Sequence, residues 1–266
     1  MNEGYKKFIE ENLTIVNQEG NEVNFILNSI QNKYLTEDTA WYDYILKARH
    51  QGFSSLILAI FTADFLLKEN SRSVVVADIA DNAQELLDRV KFYLKSYERK
   101  HEIKIPLKYN SKYELFYEAM NTRYTIGTST NIDFGRSKTI TNLHLSEFNF
   151  YNNPEALLAG ALQAVVPTGQ KVIIETTANG FNEGKTVWDE CELGERPFKP
   201  LFYKASDFYS PEFLGRKRQE LKRLFPQEYP ETAIEAFISS GDSFFDKQAL
   251  AFYLEATNGA TLLEGR

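Results

Sequence analysis

The sequence predicts an α/β fold with a largely parallel, buried central sheet. Short β-branched runs recur between residues 44 and 204. Helical patterns lie between several of them, as crossover connections require. The run Val172-Ile173-Ile174 carries no polar residue, which fits a strand covered on both faces.

Strands are expected at residues 44–48, 73–77, 124–128, 140–146, 172–177 and 199–204, and helices at 54–68, 82–97, 154–166 and 183–191. Residues 114–118 and 123–126 flank Ala119-Met120-Asn121-Thr122 and read as a hairpin inserted in that pattern. Residues 1–36 form an N-terminal extension with a helix, a hairpin around Gln18-Glu19-Gly20-Asn21 and a second short helix. Residues 37–205 make the core. Residues 206–266 are helical, punctuated by Pro211, Pro226 and Pro230, and form a small lid subdomain. Right-handed crossovers bring the C-terminal ends of the strands to one edge, where α/β proteins bind ligands.

Composition excludes several function classes. A net charge of −7 rules out a surface that is basic all over, so any DNA contact must be local. Cys191 is the only cysteine, which excludes intramolecular disulfides and cysteine-based zinc sites. His50, His101 and His144 are scattered, which argues against a histidine metal cluster. No apolar run reaches the roughly 18 residues of a membrane span, and the N-terminus lacks an apolar signal-peptide core. A reducing cytoplasm is the expected setting.

The richest stretch is Lys47-Ala-Arg-His-Gln-Gly-Phe-Ser-Ser55, between the apolar residues 44–46 and 56–61. A strand, a tight turn and a helix N-terminus offer free backbone N–H groups and a positive dipole end to an anion. Its spacing follows the P-loop pattern G-x-x-x-x-G-K-[ST] imperfectly. Gly52 and Ser54 fit, whereas Lys47 replaces the first Gly and Phe53 the Lys. A strand-turn-helix with an incidental Gly is the plainer reading.

A second signal is Ile140-Thr-Asn-Leu-His-Leu-Ser146-Glu147, a strand that ends in a carboxylate at the ligand edge. Nucleotide hydrolysis needs such a group to orient water and accept its proton. An Asp usually precedes that Glu and holds magnesium through water. Ser146 stands there instead, with a hydroxyl but no charge. Otherwise Glu147 caps the next turn. A third signal is Glu175-Thr176-Thr177-Ala178-Asn179-Gly180, polar groups at the tip of a buried strand. Asn-Gly is also an ordinary turn signal.

On the segments 45–54, 143–147 and 175–180 the chain resembles the ATPase domain of tailed-phage terminase large subunits, over roughly residues 13–250. That resemblance implies a P-loop NTPase fold of the ASCE/RecA-like kind. It implies ATP and Mg²⁺ as ligands, and an ATPase that drives double-stranded DNA into a procapsid. The partners it implies are DNA, a homo-oligomeric ring on the portal and the small terminase subunit, in the host cytoplasm and without a membrane.

Residue by residue, Gln31 matches an adenine-reading glutamine, though a solvated helix face fits it equally. Lys47 and Arg49 match phosphate-binding cations, and the choice between them stays open. Gln51, Gly52, Phe53, Ser54 and Ser55 complete the nucleotide loop, with Ser54 as magnesium ligand. Ser146 and Glu147 also serve the metal, partly through water, and Glu147 is the catalytic base. Thr176, Thr177 and Asn179 match a motif that couples hydrolysis to motion. Arg136, in Asp133-Phe-Gly-Arg-Ser137, matches an arginine finger acting on a neighbouring subunit. A surface or DNA-contacting Arg is the alternative.

Two basic stretches could meet DNA phosphates without reading sequence. One holds Arg89, Lys91, Lys95, Arg99, Lys100, Lys104 and Lys108, of which Lys95, Arg99, Lys100 and Lys104 are preferred. The other holds Arg216, Lys217, Arg218, Lys222 and Arg223. Both also read as solvated helix faces. Trp41 and Trp188 read as core or edge aromatics. Residues 240–246 look like the junction into the nuclease domain that such subunits carry, so no nuclease activity is expected of residues 1–266. Two other readings stay open: a different DNA-translocating ATPase, such as a helicase, and a degenerate, non-hydrolysing ring-assembly module. A small-molecule kinase fits less well, since no acceptor-site motif is present.

Overall fold

The computed structural model describes residues 2–17, 19–130 and 139–239. The chain opens with helix α1 (Asn2–Asn12), the hairpin β1 (Thr14–Val16) and β2 (Glu22–Asn24), helix α2 (Ser29–Lys33) and a π-helical turn (Tyr34–Asp38). The core follows as β3 (Tyr42–Lys47), α3 (Phe53–Leu67), β4 (Arg72–Ala77), α4 (Ala80–His101), β5 (Leu107–Asn110), β6 (Glu114–Tyr117), β7 (Thr122–Thr128) and β8 (Asn142–Ser146). It continues with α5 (Pro154–Leu162), β9 (Lys171–Thr176), α6 (Glu183–Glu192) and β10 (Lys199–Tyr203), and ends in α7 (Pro211–Leu221), α8 (Phe225–Glu228) and α9 (Ala233–Ser239).

An eight-stranded sheet runs in the order β10-β3-β9-β8-β4-β7-β6-β5. Neighbours from β10 to β7 are parallel, and β6 and β5 complete an antiparallel edge. The strand that feeds the glycine loop, β3, and the strand that ends at Glu147, β8, are therefore separated by β9. The tips of all three lie side by side at one edge.

Alternation along the strands sorts side chains onto two faces. Ile45, Val75 and Ile173 face a core shared with α1, α3 and α4. Tyr44, Leu46, Val74, Leu143, Val172 and Ile174 face a second core with α5, α6 and α9. Helix α3 is apolar nearly all round and almost wholly buried, because sheet, α1, α4 and residues 25–35 enclose it. Its one acid, Asp64, is held by Tyr5 Oη at 2.6 Å, Lys171 Nζ at 2.6 Å and Asn142 Nδ2 at 3.1 Å. That network ties α1, α3 and the sheet together at the edge away from Glu147.

Several boundaries differ from those expected. Strand β5 was not expected: its residues are mostly exposed and its Lys108 reads as part of a basic run. Helix α5 stops at Leu162, short of residue 166. Val165 instead bridges Ile140 in parallel, and Pro167 disfavours helix in the residue before it. Ile140 thereby falls outside β8. Helix α4 runs longer than expected at both ends. Helices α7 and α8 pack through Phe225 and Tyr229 on Ala48 and Ala205, beside the glycine loop. Helix α9 packs into the second core instead, through Ala236 and Phe237.

Candidate functional site

Residues 48–52 link β3 to α3. Gly52 precedes the helix with φ +83°, and no side chain caps α3. A first helical turn has no intrahelical partners for its N–H groups, so this uncapped end faces the edge with free donors. A Cβ on Gly52 would lie 2.6 Å from Gln31 Nε2. Gln31 is buried in a capping box: Asn28 N–H donates to its Oε1 at 3.0 Å, and its own N–H donates to Asn28 Oδ1 at 2.9 Å. Its Nε2 donates to Gly52 O at 2.7 Å. Gln31 therefore abuts the glycine loop and holds its backbone, which sequence spacing alone does not reveal.

The centre of the site is a charge cluster. Lys47 ends β3, is 5% exposed, and lies 2.9 Å from Glu175 Oε1 and 3.5 Å from Glu147 Oε1. Burial acts to lower its pKa, but the two carboxylates win and hold it above the usual lysine value. Glu147 follows β8 in a left-handed conformation, φ +56°. For a non-glycine residue such backbone costs about 1–3 kcal/mol, and it tends to be kept where function requires it. Its Oε2 accepts from Thr177 N–H at 3.2 Å and Thr177 Oγ at 3.4 Å, which fixes the carboxylate beside Lys47.

Glu175 was not among the expected site residues. It is fully buried on β9. Burial would raise its pKa, but Lys47 and His144 overcome that and hold the carboxyl well below the usual range. Ser54 Oγ donates to both its oxygens at 3.1 Å, Ser146 Oγ donates to Oε2 at 3.3 Å, and His144 Nε2 lies 3.3 Å from Oε2. The available signal was parity. Lys47, Ser146 and Glu175 each sit two residues beyond Ile45, His144 and Ile173, so all three reach the α3 face.

The remaining expected residues divide. Arg49 reaches the mouth of the site but is ion-paired with Glu228 of α8, and its N–H donates to Glu228 O at 3.1 Å. Gln51 Nε2 donates to Lys204 O at 3.0 Å. The Phe53 ring turns inward between Tyr34 and Tyr203, so only its backbone can meet a ligand at the loop. Ser55 Oγ accepts from Arg89 at 3.1 Å, on the α4 side. Thr176 and Asn179 meet at Asn149, another residue the sequence did not single out. Asn149 N–H donates to Thr176 Oγ at 3.1 Å, its Nδ2 donates to Thr177 O at 3.0 Å, and its carbonyl accepts from Asn179 Nδ2 at 3.1 Å. Tyr44 Oη donates to Asn149 Oδ1 at 2.6 Å. Arg136 lies outside the described residues.

Lys95 is exposed on α4. Arg99 pairs with Glu22, Lys100 Nζ donates to Asn24 Oδ1 at 2.9 Å, and Lys104 lies 3.8 Å from Glu98. Since α4 runs back from the tip of β4, these cations sit toward the edge away from Glu147.

A cavity of about 230 Å³ opens over this cluster, lined by Lys47, Arg49, His50, Asp78, Asn82 and Glu147 among others. A larger groove of about 560 Å³ lies between α6 and α9, on the other face, around Phe181, Trp188 and Phe237. The smaller cavity is the chemical one, because the cations Lys47 and Arg49 and the Glu147 carboxylate line it together. Among the described residues no group of three or more His, Cys, Asp or Glu could hold a metal alone. The oxygen set of Ser54, Ser146, Glu147 and Glu175 suits Mg²⁺, which binds few protein ligands and completes its shell with water and phosphate.

No protein-family model matches the sequence, and no curated protein does. Solved structures do. The large terminase ATPase domain of Thermus phage P74-26 aligns at TM-score 0.58 and 16% identity, over 76% of this chain and 92% of that one. The chain has the fold of a phage large-terminase ATPase domain. The HK97 bacteriophage large terminase aligns at TM-score 0.62 and 16% identity, over 84% of this chain. A large terminase from a thermophilic bacteriophage, in complex with ADP, aligns at TM-score 0.57 and 13% identity, over 80% of this chain. This chain spans about half of each of those two, 52% and 53%. No described helix is long and apolar enough to cross a membrane.

Proposed function

We propose that the chain is the ATPase unit of a viral DNA-packaging motor, which hydrolyses ATP with Mg²⁺ to move double-stranded DNA into a procapsid. One observation carries this reading: at the strand edge of a terminase-type fold, Lys47 and Glu147 stand 3.5 Å apart in the lining of a cavity, and Ser54, in the uncapped first turn of α3, bonds Glu175, the other partner of Lys47. A cation for phosphate, N–H donors and a carboxylate base are the parts phosphoryl transfer needs.

In this reading the triphosphate lies along residues 48–54, against Lys47, with Arg49 at the mouth and Gln31 toward the base. Ser54 would hold magnesium, with help from Ser146 and Glu147 through water, and the ion would supply neutralisation of charge on the phosphate oxygens. Glu147, oriented by Thr177, accepts the proton of the attacking water. Thr177 bonds Glu147 and Asn149 bonds Thr177, so a shift at the base reaches Thr176 and Asn179 directly. Arg136 is the finger offered to the next copy in a ring on the portal, where the small terminase subunit also acts. Lys95, Arg99, Lys100 and Lys104 are its DNA-facing cations.

Gly184 gives the coupling idea a handle. A Cβ there would lie 2.1 Å from Asn149 Oδ1. Gly184→Ala should leave nucleotide affinity near the parent value, since it touches no residue of the loop. It should lower DNA-stimulated turnover about tenfold or more, on the order of 1.4 kcal/mol in the barrier. Equal DNA stimulation in parent and variant would show that Asn149 plays no part in coupling. The ring reading is tested by ATP hydrolysis against protein concentration. The rate per chain should rise with concentration, and Arg136→Ala should remove that rise with a loss of about three to five decades at the plateau. A rate per chain independent of concentration, with Arg136→Ala silent, would leave a site complete within one chain.

A further inference from the structure

The position before Glu147, where hydrolytic sites of this kind carry an acid for magnesium, holds Ser146, which has no charge. The structure shows a carboxylate one strand away. Ser146 of β8 and Glu175 of β9 are direct partners in the parallel register. Both point to the α3 face, and Ser146 Oγ donates to Glu175 Oε2 at 3.3 Å. Ser54, the hydroxyl expected to meet the metal, donates to both Glu175 oxygens at 3.1 Å.

Glu175 is also expensive to keep. A fully buried carboxylate costs several kcal/mol to desolvate, and well-packed apolar side chains in place of a buried ion pair are often neutral or better for stability. Val172, Ile173 and Ile174 precede it on the same strand. Neutralising Lys47 does not account for Glu175 alone, because Glu147 already lies 3.5 Å from that ammonium. Nor does it account for two hydroxyls, from α3 and from β8, converging on one carboxylate.

We propose that Glu175 takes over the role Ser146 lacks: it supplies, from β9, the negative charge that orients the water shell of the nucleotide's magnesium. This deepens the ATPase reading and rests on it. Bound with the triphosphate, magnesium would neutralise phosphate charge. Glu175 would act behind Ser54 and Ser146 as a positioning residue, accepting from hydroxyls and metal-bound water without touching the reacting phosphorus. Hydrogen-bonding partners behind a metal's direct ligands are worth about 10- to 100-fold in metal affinity.

The test is the magnesium requirement for binding a fluorescent ATPγS analogue, measured beside binding in EDTA and thermal melting. In Glu175→Gln the half-saturating magnesium concentration should rise about 10- to 100-fold, with affinity in EDTA not reduced. In Ser146→Asp/Glu175→Gln, which returns the charge to β8, the parent requirement should come back. A purely structural Glu175 would lower the melting temperature and leave the magnesium requirement unchanged, and that result overturns the proposal. If Glu175→Gln fails to fold, the double variant decides: a parent-like requirement supports the transfer of role, a raised one overturns it. If the parent itself binds no nucleotide in either condition, the ATPase reading fails and takes this proposal with it.

Discussion

Lys47→Met is expected to abolish magnesium-nucleotide binding and to destabilise the fold. Two causes act together. The variant removes the buried cation that faces the phosphate loop, and it strands Glu175 without its 2.9 Å partner. Removing one member of a buried pair costs about 3–5 kcal/mol, because the other charge stays buried. Neutralising the stranded acid as well separates the two effects. Lys47→Met/Glu175→Gln should recover most of the lost stability in thermal or denaturant unfolding, yet still bind no nucleotide. Recovery of binding in that double variant would show that Arg49 is the main phosphate cation.

The pair also sets a pH window. Lys47 is held above the usual lysine value, so its contribution is full below that value and is lost as pH rises past its folded pKa. Glu175 is held below the usual glutamate value, so its contribution is full above that value and is lost as pH falls past its folded pKa. The stability carried by the pair should therefore be flat between about pH 5 and pH 10.

Glu147→Gln is expected to keep nucleotide affinity and lose turnover by about 10²- to 10⁴-fold, the usual worth of a positioned general base. The amide fits the same space and can still meet Thr177, but it cannot take a proton from water. Steady-state phosphate release beside equilibrium binding separates the two. Unchanged release would make Glu147 a turn residue and move catalysis elsewhere. Reduced binding at unchanged turnover would instead mean that the carboxylate serves mainly to hold Lys47.

The sheet was legible because its strands are buried and apolar. Val74, Ile173 and their neighbours left little choice of element or face. Strand β5 was not legible, since an exposed edge strand with Lys108 and Tyr109 looks like a basic loop. The glycine loop, Glu147 and Thr177 were legible as motifs at strand ends, and the structure brings them together. Phe53 could not be resolved from spacing, because whether its ring turns to the ligand or to Tyr203 depends on where α3 begins. Glu175 was hidden for a different reason. Its partners Lys47 and Ser54 come from the glycine loop and Ser146 from a segment about a hundred residues on, and only the order β3-β9-β8 places it between them. Asn149 meets Thr176, Thr177 and Asn179 through hydrogen bonds that span 27 to 30 residues, which no local pattern encodes.

Everything proposed for this chain depends on the edge formed by β3, β9 and β8 binding a nucleoside triphosphate through Lys47. The decisive experiment is calorimetric titration of ATPγS, at magnesium high enough to saturate Glu175→Gln, into the parent chain, into Glu175→Gln and into Lys47→Met/Glu175→Gln. Saturable binding of one nucleotide per chain to the parent and to Glu175→Gln, and none to the double variant, is the expected result. Absence of binding to the parent, or binding to the double variant equal to that of Glu175→Gln, would contradict that role for Lys47.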